Sequence, residues 1–257
     1  VLSVLEGLGT VQSSSSELRK IGIHFTYPKP VELIKYLIEV GNAKDELVID
    51  FFAGSGTLAE AVVQLNRQKQ SACRFFFFFL LELIIDETRS SRRVSELCRE
   101  RIKRIITSTD LANEKQSFKS FVLTPSNFKQ WRGDGIDTAD QLAEQIQMFA
   151  KSEKDGAAVE NMLYELLLKF GQELTTPIET LDVADGKVFA IHDRKMLFVL
   201  ASFTEAMIVP LVAMKPRDII AIDGVFKDSD MLKTNLDLQC RDAGIREFAG
   251  EETRRRW

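Results

Sequence analysis

With 257 residues, 45% hydrophobic and 28% charged, and a mean hydropathy of −0.07, the chain can bury one large or two modest cores in water. Its net charge of −4 argues against a surface that grips nucleic acid over its whole extent. The longest apolar run, Phe75 to Leu81, is too short to span a bilayer, and the opening residues lack the layout of a secretory leader. Cys73, Cys98 and Cys240 are odd in number and lack metal-ligand spacing. They read as half-buried thiols in a reducing compartment, so a cytoplasmic location with no membrane and no metal is expected.

Residues 1–24 are poorly patterned, and Ser13 to Ser16 reads as a linker or mobile lead-in. Pro30 suits the first turn of a helix through Val40, which Gly41-Asn42 stops. A strand is expected at 46–50, a helix at 57–67 and a strand at 75–81. The run Phe75 to Phe79 suits a central strand covered on both faces. A helix over about 91–106 sets Val94, Leu97, Cys98, Ile102 and Ile105 on one side. The same segment carries Arg89, Arg92, Arg93, Arg99, Arg101, Lys103 and Arg104, read as a solvated face with Glu100 and Arg104 paired.

A further strand is expected near 118–123. The alternation of strands and helices implies a parallel, doubly wound sheet. Helices then follow at Ala139 to Ala150 and at Ala157 to Phe170, closed by Gly171. A second, small α/β unit is expected beyond them. It comprises a hairpin of Thr180 to Val183 and Val188 to His192, a strand at Met196 to Leu200 and a helix at Glu205 to Met214. A strand at Asp218 to Ile222 and a helix at Ser229 to Ala243, with Gly244 as its C′ residue, complete it. Residues 251–257 read as a frayed tail.

The stretch Val48-Ile49-Asp50-Phe51-Phe52-Ala53-Gly54-Ser55-Gly56-Thr57 carries the chemistry. A buried strand ends on a carboxylate, a glycine turn follows, and a helix begins, offering unpaired N–H groups and a positive dipole end to a ligand. Gly54-x-Gly56-x-x-Ala59, with Glu82 at the end of the next strand, satisfies a dinucleotide fingerprint. Asp50 argues against it, because a carboxylate at this place repels phosphate. The same carboxylate suits a ligand with an ammonium group and hydroxyls, such as S-adenosylmethionine (AdoMet), and both ligands stay open on the residues alone.

Asp50-Phe51-Phe52-Ala53-Gly54-Ser55-Gly56-Thr57 resembles the AdoMet motif of amino DNA methyltransferases, commonly D-P-F-A-G-S-G-T. Phe25-Thr26-Tyr27-Pro28-Lys29-Pro30-Val31-Glu32-Leu33-Ile34 resembles the K-P-x-x-L segment of the same family, and the order of the two is that of its β group. Met162 to Leu167, Leu174 to Glu179 and Leu232 to Asn235 resemble the C-terminal part of type III restriction–modification methyltransferase subunits.

The resemblance spans roughly residues 20–246 and implies a partial Rossmann-like AdoMet methyltransferase sheet over 25–135. A helical connector and smaller α/β C-terminal domain would then occupy 136–250. It implies Asp50 near the methionine amino group, with Phe52, Ala53, Gly54, Ser55 and Gly56 lining the cofactor and Glu82 on the ribose hydroxyls. Phe25, Tyr27, Lys29 and Pro30 would lie over the methionine arm, Lys29 as a cation toward the ligand carboxylate.

The family's D/N/S-P-P-Y/F/W segment, which holds the flipped base and its amino group, has no counterpart, because no Pro-Pro pair occurs. Thr124-Pro125-Ser126-Asn127-Phe128 is the nearest imitation. The chain is therefore expected to be the C-terminal part of an adenine-N6 DNA methyltransferase of a type III restriction–modification system. It would hold the cofactor half-site with no catalytic residue and be inactive alone. Double-stranded DNA, a second copy of the modification subunit and a restriction subunit are the implied partners. The competing expectation is a non-catalytic interaction module with a relic nucleotide fold.

Overall fold

The computed structural model describes residues 6–41, 43–79, 83–85, 91–107, 117–129, 153–227 and 229–249, and the chain divides into units Val1–Phe121 and Val122–Trp257. The expected helix at 139–150, the tail 251–257 and Glu82 lie outside the described residues.

The first unit begins with a helix where a linker was expected. Helix α1 (Val11–Lys20) starts in a reciprocal capping box: the Ser13 N–H donates to Thr10 Oγ1 at 3.1 Å, and the Thr10 N–H to Ser13 Oγ at 3.0 Å. Ser14 and Leu18 are buried. Serine is a weak helix former mid-helix but a strong cap, so the serine run nucleates the helix that composition alone argued against.

Helix α2 (Val31–Val40) is entered through Pro30, strand β1 (Leu47–Asp50) follows, and helix α3 (Thr57–Lys69) leads to strand β2 (Arg74–Phe77). β1 and β2 pair in parallel, Leu47 opposite Arg74 and Asp50 opposite Phe77, so β1-α3-β2 is a β–α–β crossover. Val48, Phe75 and Phe77 pack under α2 and α3, against Val31, Ile38, Leu58, Ala61, Val62 and Leu65.

The phenylalanine run does not form the expected strand covered on both faces. Its strand ends at Phe77 rather than Leu81. Leu47, Ile49, Phe76 and Phe78 point away from the core and are exposed. The strand period of two divides the run: Phe77 meets Phe75 and Phe79 at ring distances of 4.9 and 5.9 Å, whereas Phe78 meets Phe76 and Phe51 at 5.0 and 5.2 Å.

Strand β3 (Leu83–Ile85) pairs antiparallel with β4 (Ser91–Arg93), and helix α4 (Val94–Thr107) follows. The residues expected to open the arginine-rich helix therefore form a strand. The strand expected near 118–123 is absent, and Val122 and Leu123 are exposed outside any helix or strand.

The second unit opens on helix α5 (Val159–Lys169), with Gly171 just beyond it in the left-handed region at φ +67°. The hairpin β5 (Glu179–Val183) and β6 (Gly186–Ile191) turns through Ala184 and Asp185, and Gly186 opens β6. Strand β7 (Met196–Val199), helix α6 (Glu205–Ala213), strand β8 (Asp218–Ala221) and helix α7 (Asp230–Asp242) follow near their expected places. Strand β9 (Arg246–Ala249) was not expected.

The sheet order is β5-β6-β7-β8-β9, antiparallel through β7 and parallel from β7 to β9. β7 and β8 are buried along their whole length, as central strands covered on both faces must be. Met162, Leu163, Leu166 and Leu167 of α5 join the core that these strands form. The fold is thus mixed α/β. No helix among the described residues is long and apolar enough to cross a membrane.

Leu167 is fully buried in this core. Leu167→Ala should lower unfolding stability by about 2–5 kcal/mol in urea denaturation, through lost transfer free energy and the cavity left behind.

Candidate functional site

The glycine turn is built at the C-terminal end of β1, where a parallel strand delivers its chain to a helix N-terminus. Asp50, its last residue, accepts the Phe52 N–H on Oδ1 at 3.0 Å, which curls the backbone out of the strand. Phe78 N–H donates to Asp50 O at 3.0 Å and Ala53 N–H to Phe78 O at 3.4 Å, tying the turn to the chain leaving β2. The Gly56 N–H then closes on Ala53 O at 2.7 Å.

Gly54 and Gly56 both take left-handed backbone, φ +49° and +77°, which L side chains rarely adopt. Gly56 is also the N-cap of α3, and a Cβ there would lie 2.4 Å from Cys98 Sγ. The missing side chain lets α4 approach the turn. Cys98 is fully buried, and burial pushes its thiol up to about 12, with nearby Arg101 lowering it and Asp50 raising it. The sulfur is a neutral packing atom, and all three cysteines, expected half-buried, are buried and outside any disulfide.

Beneath the turn lies Arg101, 2% exposed. Its Nε and Nη2 donate to Glu60 Oε2 at 2.9 and 2.6 Å, and Nη1 reaches Ser55 O, Ser55 Oγ and Thr57 Oγ1 at 3.2, 2.9 and 3.1 Å. Thr57 Oγ1 in turn donates to Lys29 O at 3.3 Å. This bond joins the Lys29-Pro30 segment to the glycine turn, two motifs 28 residues apart in sequence.

Arg101, expected on a solvated helix face, is buried instead. Arg93, Arg99, Lys103 and Arg104 are exposed, and Arg104 pairs with Glu100 at 2.7 Å as expected, but Arg101 is in the core. The signal was in the spacing. Arg101 stands four residues after Leu97 and three after Cys98, on the apolar stripe of α4.

The other candidate residues gather around the turn to different degrees. Pro30 is buried and Lys29 exposed, Phe25 is half-buried, and its carbonyl accepts Ser15 Oγ of α1 at 3.2 Å. Tyr27 and Phe52 are exposed, at 75% and 79%. Ala53 and Ser55 are buried within the turn. Among the described residues no group of three or more His, Cys, Asp or Glu side chains could hold a metal.

Thr124 to Phe128, the nearest imitation of a base-binding segment, is a structural clamp in the second unit. Glu165 of α5 accepts the Ser126 hydroxyl, the Asn127 N–H at 2.7 Å and Asn127 Nδ2 at 2.9 Å, and Lys169 Nζ lies 4.5 Å from the Phe128 ring centre. Burial pushes the Glu165 carboxyl up, but the bonds from Ser126, Asn127 and Lys169 outweigh it and hold its pKa below the ordinary value.

Residues 8–88 match a family described as "DNA methylase". The chain is 31% identical over 202 residues to the Mod subunit of the type III restriction–modification enzyme EcoPI of Escherichia phage P1, covering 73% of this chain and 29% of that protein. It is 32% identical over 136 residues to the StyLTI Mod subunit of Salmonella typhimurium, covering 46% and 21% of the two chains. Against the EcoP15I Mod subunit of Escherichia coli the identity is 26% over 192 residues, with 73% and 28% covered. The chain therefore spans less than a third of the length of these relatives.

Two outcomes follow from this geometry. Gly56→Ala should destabilise the chain by more than the about 1–2 kcal/mol of left-handed strain alone, and Cys98→Ala in the same chain should recover the steric part. A denaturant double-mutant cycle reads the difference. Because the Glu165 carboxyl is depressed in the fold, its contribution is full above the unfolded glutamate pKa and is lost as pH falls through the lower, folded value. Glu165→Gln should flatten that acid limb in thermal unfolding measured against pH.

Proposed function

We propose, from the premise that this chain is a relative of type III Mod subunits, that it forms the AdoMet-binding part of an adenine-N6 DNA methyltransferase. The observation that carries the reading is the Thr57–Lys29 bond, through which the two motifs of the sequence resemblance share one site.

The residues present fit the cofactor. Asp50 ends β1 with a carboxylate that, among the described residues, is engaged by the Phe52 N–H and by no cation. It would take the methionine ammonium, while the turn Phe52 to Gly56 would line the ligand through backbone atoms that Gly54 and Gly56 leave uncovered. Lys29 would face the ligand carboxylate, with Pro30, Phe25 and Tyr27 over the methionine arm, and Glu82 would accept the ribose hydroxyls. When bound, AdoMet supplies a methyl group on a sulfonium, open to in-line attack by the adenine amino nitrogen.

The β1-α3-β2 crossover, with its exposed second face, suits part of a Rossmann-like sheet that needs another layer. In this reading the second unit is the parent's C-terminal domain, an assembly surface for a second Mod copy and a restriction subunit, with double-stranded DNA as substrate. The chain alone lacks a base-binding segment and would transfer no methyl.

Calorimetric titration of AdoMet should give saturable heat. Asp50→Ala and Gly54→Leu should each weaken binding by about tenfold or more, through loss of a charge-assisted bond and closure of the turn. NAD at equal concentration should not compete. No heat with the unaltered chain, or indifference to both substitutions, overturns the cofactor reading. Transfer of labelled methyl to DNA by the purified chain overturns the half-site reading.

A further inference from the structure

We infer that Arg101 is a positioning residue that latches the Lys29-Pro30 segment onto the glycine turn, and so governs the hold on the amino-acid arm of the cofactor rather than on its nucleoside. The inference rests on the AdoMet reading of the site.

A guanidinium can only donate, so Ser55 Oγ and Thr57 Oγ1 must both accept from Nη1. Each hydroxyl keeps one proton for another acceptor. That of Thr57 goes to Lys29 O at 3.3 Å, and that of Ser55 is left for Thr57 Oγ1 at 3.2 Å. The Lys29 carbonyl can only accept, which commits the Thr57 proton to it and leaves Ser55 to donate to Thr57 Oγ1, while Nη1 of Arg101 holds both oxygens in place from beneath. Ser55 and Thr57 are buried, so water does not substitute readily for any member. Glu60 fixes the other edge of the guanidinium and neutralises its charge, which removes it as a phosphate-binding group.

The chain of bonds ends on the backbone of Lys29, beside the residues assigned to the methionine arm. Besides its bonds from Arg101 to Ser55, the turn has ties of its own through Asp50, Phe78 and Ala53. Cutting the latch therefore frees the Lys29-Pro30 segment and leaves the turn in place.

The test compares AdoMet with 5′-methylthioadenosine, which has the same nucleoside but no amino-acid arm, by calorimetry on the whole chain. Arg101→Met and Thr57→Val should weaken AdoMet by about tenfold or more while methylthioadenosine changes by less than about twofold. Thr57→Ser, which restores the hydroxyl, should return AdoMet affinity to near the starting value. Thermal unfolding is recorded for each variant, and Thr57→Val, which removes a hydroxyl at nearly constant volume, carries the test if Arg101→Met does not fold. Equal losses for both ligands, or unchanged AdoMet binding in Thr57→Val, overturn the latch while leaving the AdoMet reading intact. An unaltered chain that binds neither ligand overturns both.

Discussion

Arg101 carries a full charge into a position 2% exposed, where an unpaired guanidinium is several kcal/mol unfavourable. It is tolerated because Glu60, the Ser55 carbonyl and two hydroxyls together satisfy Nε, Nη1 and Nη2. A buried pair of this kind is weak evidence for stability, since a well-packed apolar residue of similar volume often does as well. Its effect is on geometry. Three segments of the first unit, the Lys29-Pro30 stretch, the glycine turn and α4, are fixed by one planar group whose donors have set directions.

The close approach of α4 depends on a second constraint. Gly56 stands at the N-cap of α3 with no Cβ, and Cys98 occupies the space that a Cβ would need. Ala59, one turn into α3, is likewise small and buried, and packs with Cys98 and Ile102. Small residues at positions 56 and 59 draw α4 near enough for the Arg101 side chain to lie beneath the turn. Glycine spacing that sequence reading treats as a ligand feature is therefore also a helix-packing feature, and the two uses are not in conflict.

Regular elements were legible where period and punctuation agreed. Helices α2, α3, α5 and α7 each pair an apolar stripe with Pro, Gly or Ser at an end, and strands β5 to β8 lie between clear turn residues. The failures have separate causes. In α1 the capping serines have the composition of a linker, because composition records serine content and not which serine faces an N-terminus. Residues 118–123 are apolar enough for a strand but form none, and β-propensity is mostly the energy of a neighbour.

Strand β9 fails in the opposite way, since its pairing with β8 supplies what its short pattern does not. The candidate turn was legible as strand, turn and helix, but the strand expected to be buried is exposed at Leu47 and Ile49 and only half-buried at Val48 and Asp50. Its supporting arginine was hidden among charged neighbours that the periodicity could have separated.

The charge balance around the turn then bears on the ligand. Arg101 is neutralised within the protein by Glu60, and the Cys98 thiol, pushed up to about 12 chiefly by burial, is uncharged at neutral pH. Glu32 of the first motif pairs with Lys35 at 2.9 Å, so Asp50 and Lys29, one of each sign, are the charged side chains of the two motifs left outside an ion pair among the described residues. A phosphate-bearing dinucleotide would meet the carboxylate of Asp50 at the point where a pyrophosphate needs only donors. A zwitterionic amino-acid arm would meet a carboxylate and an ammonium in complementary order. In the proposed reading, that remaining pair suits the zwitterionic arm of AdoMet better than the phosphates of a dinucleotide.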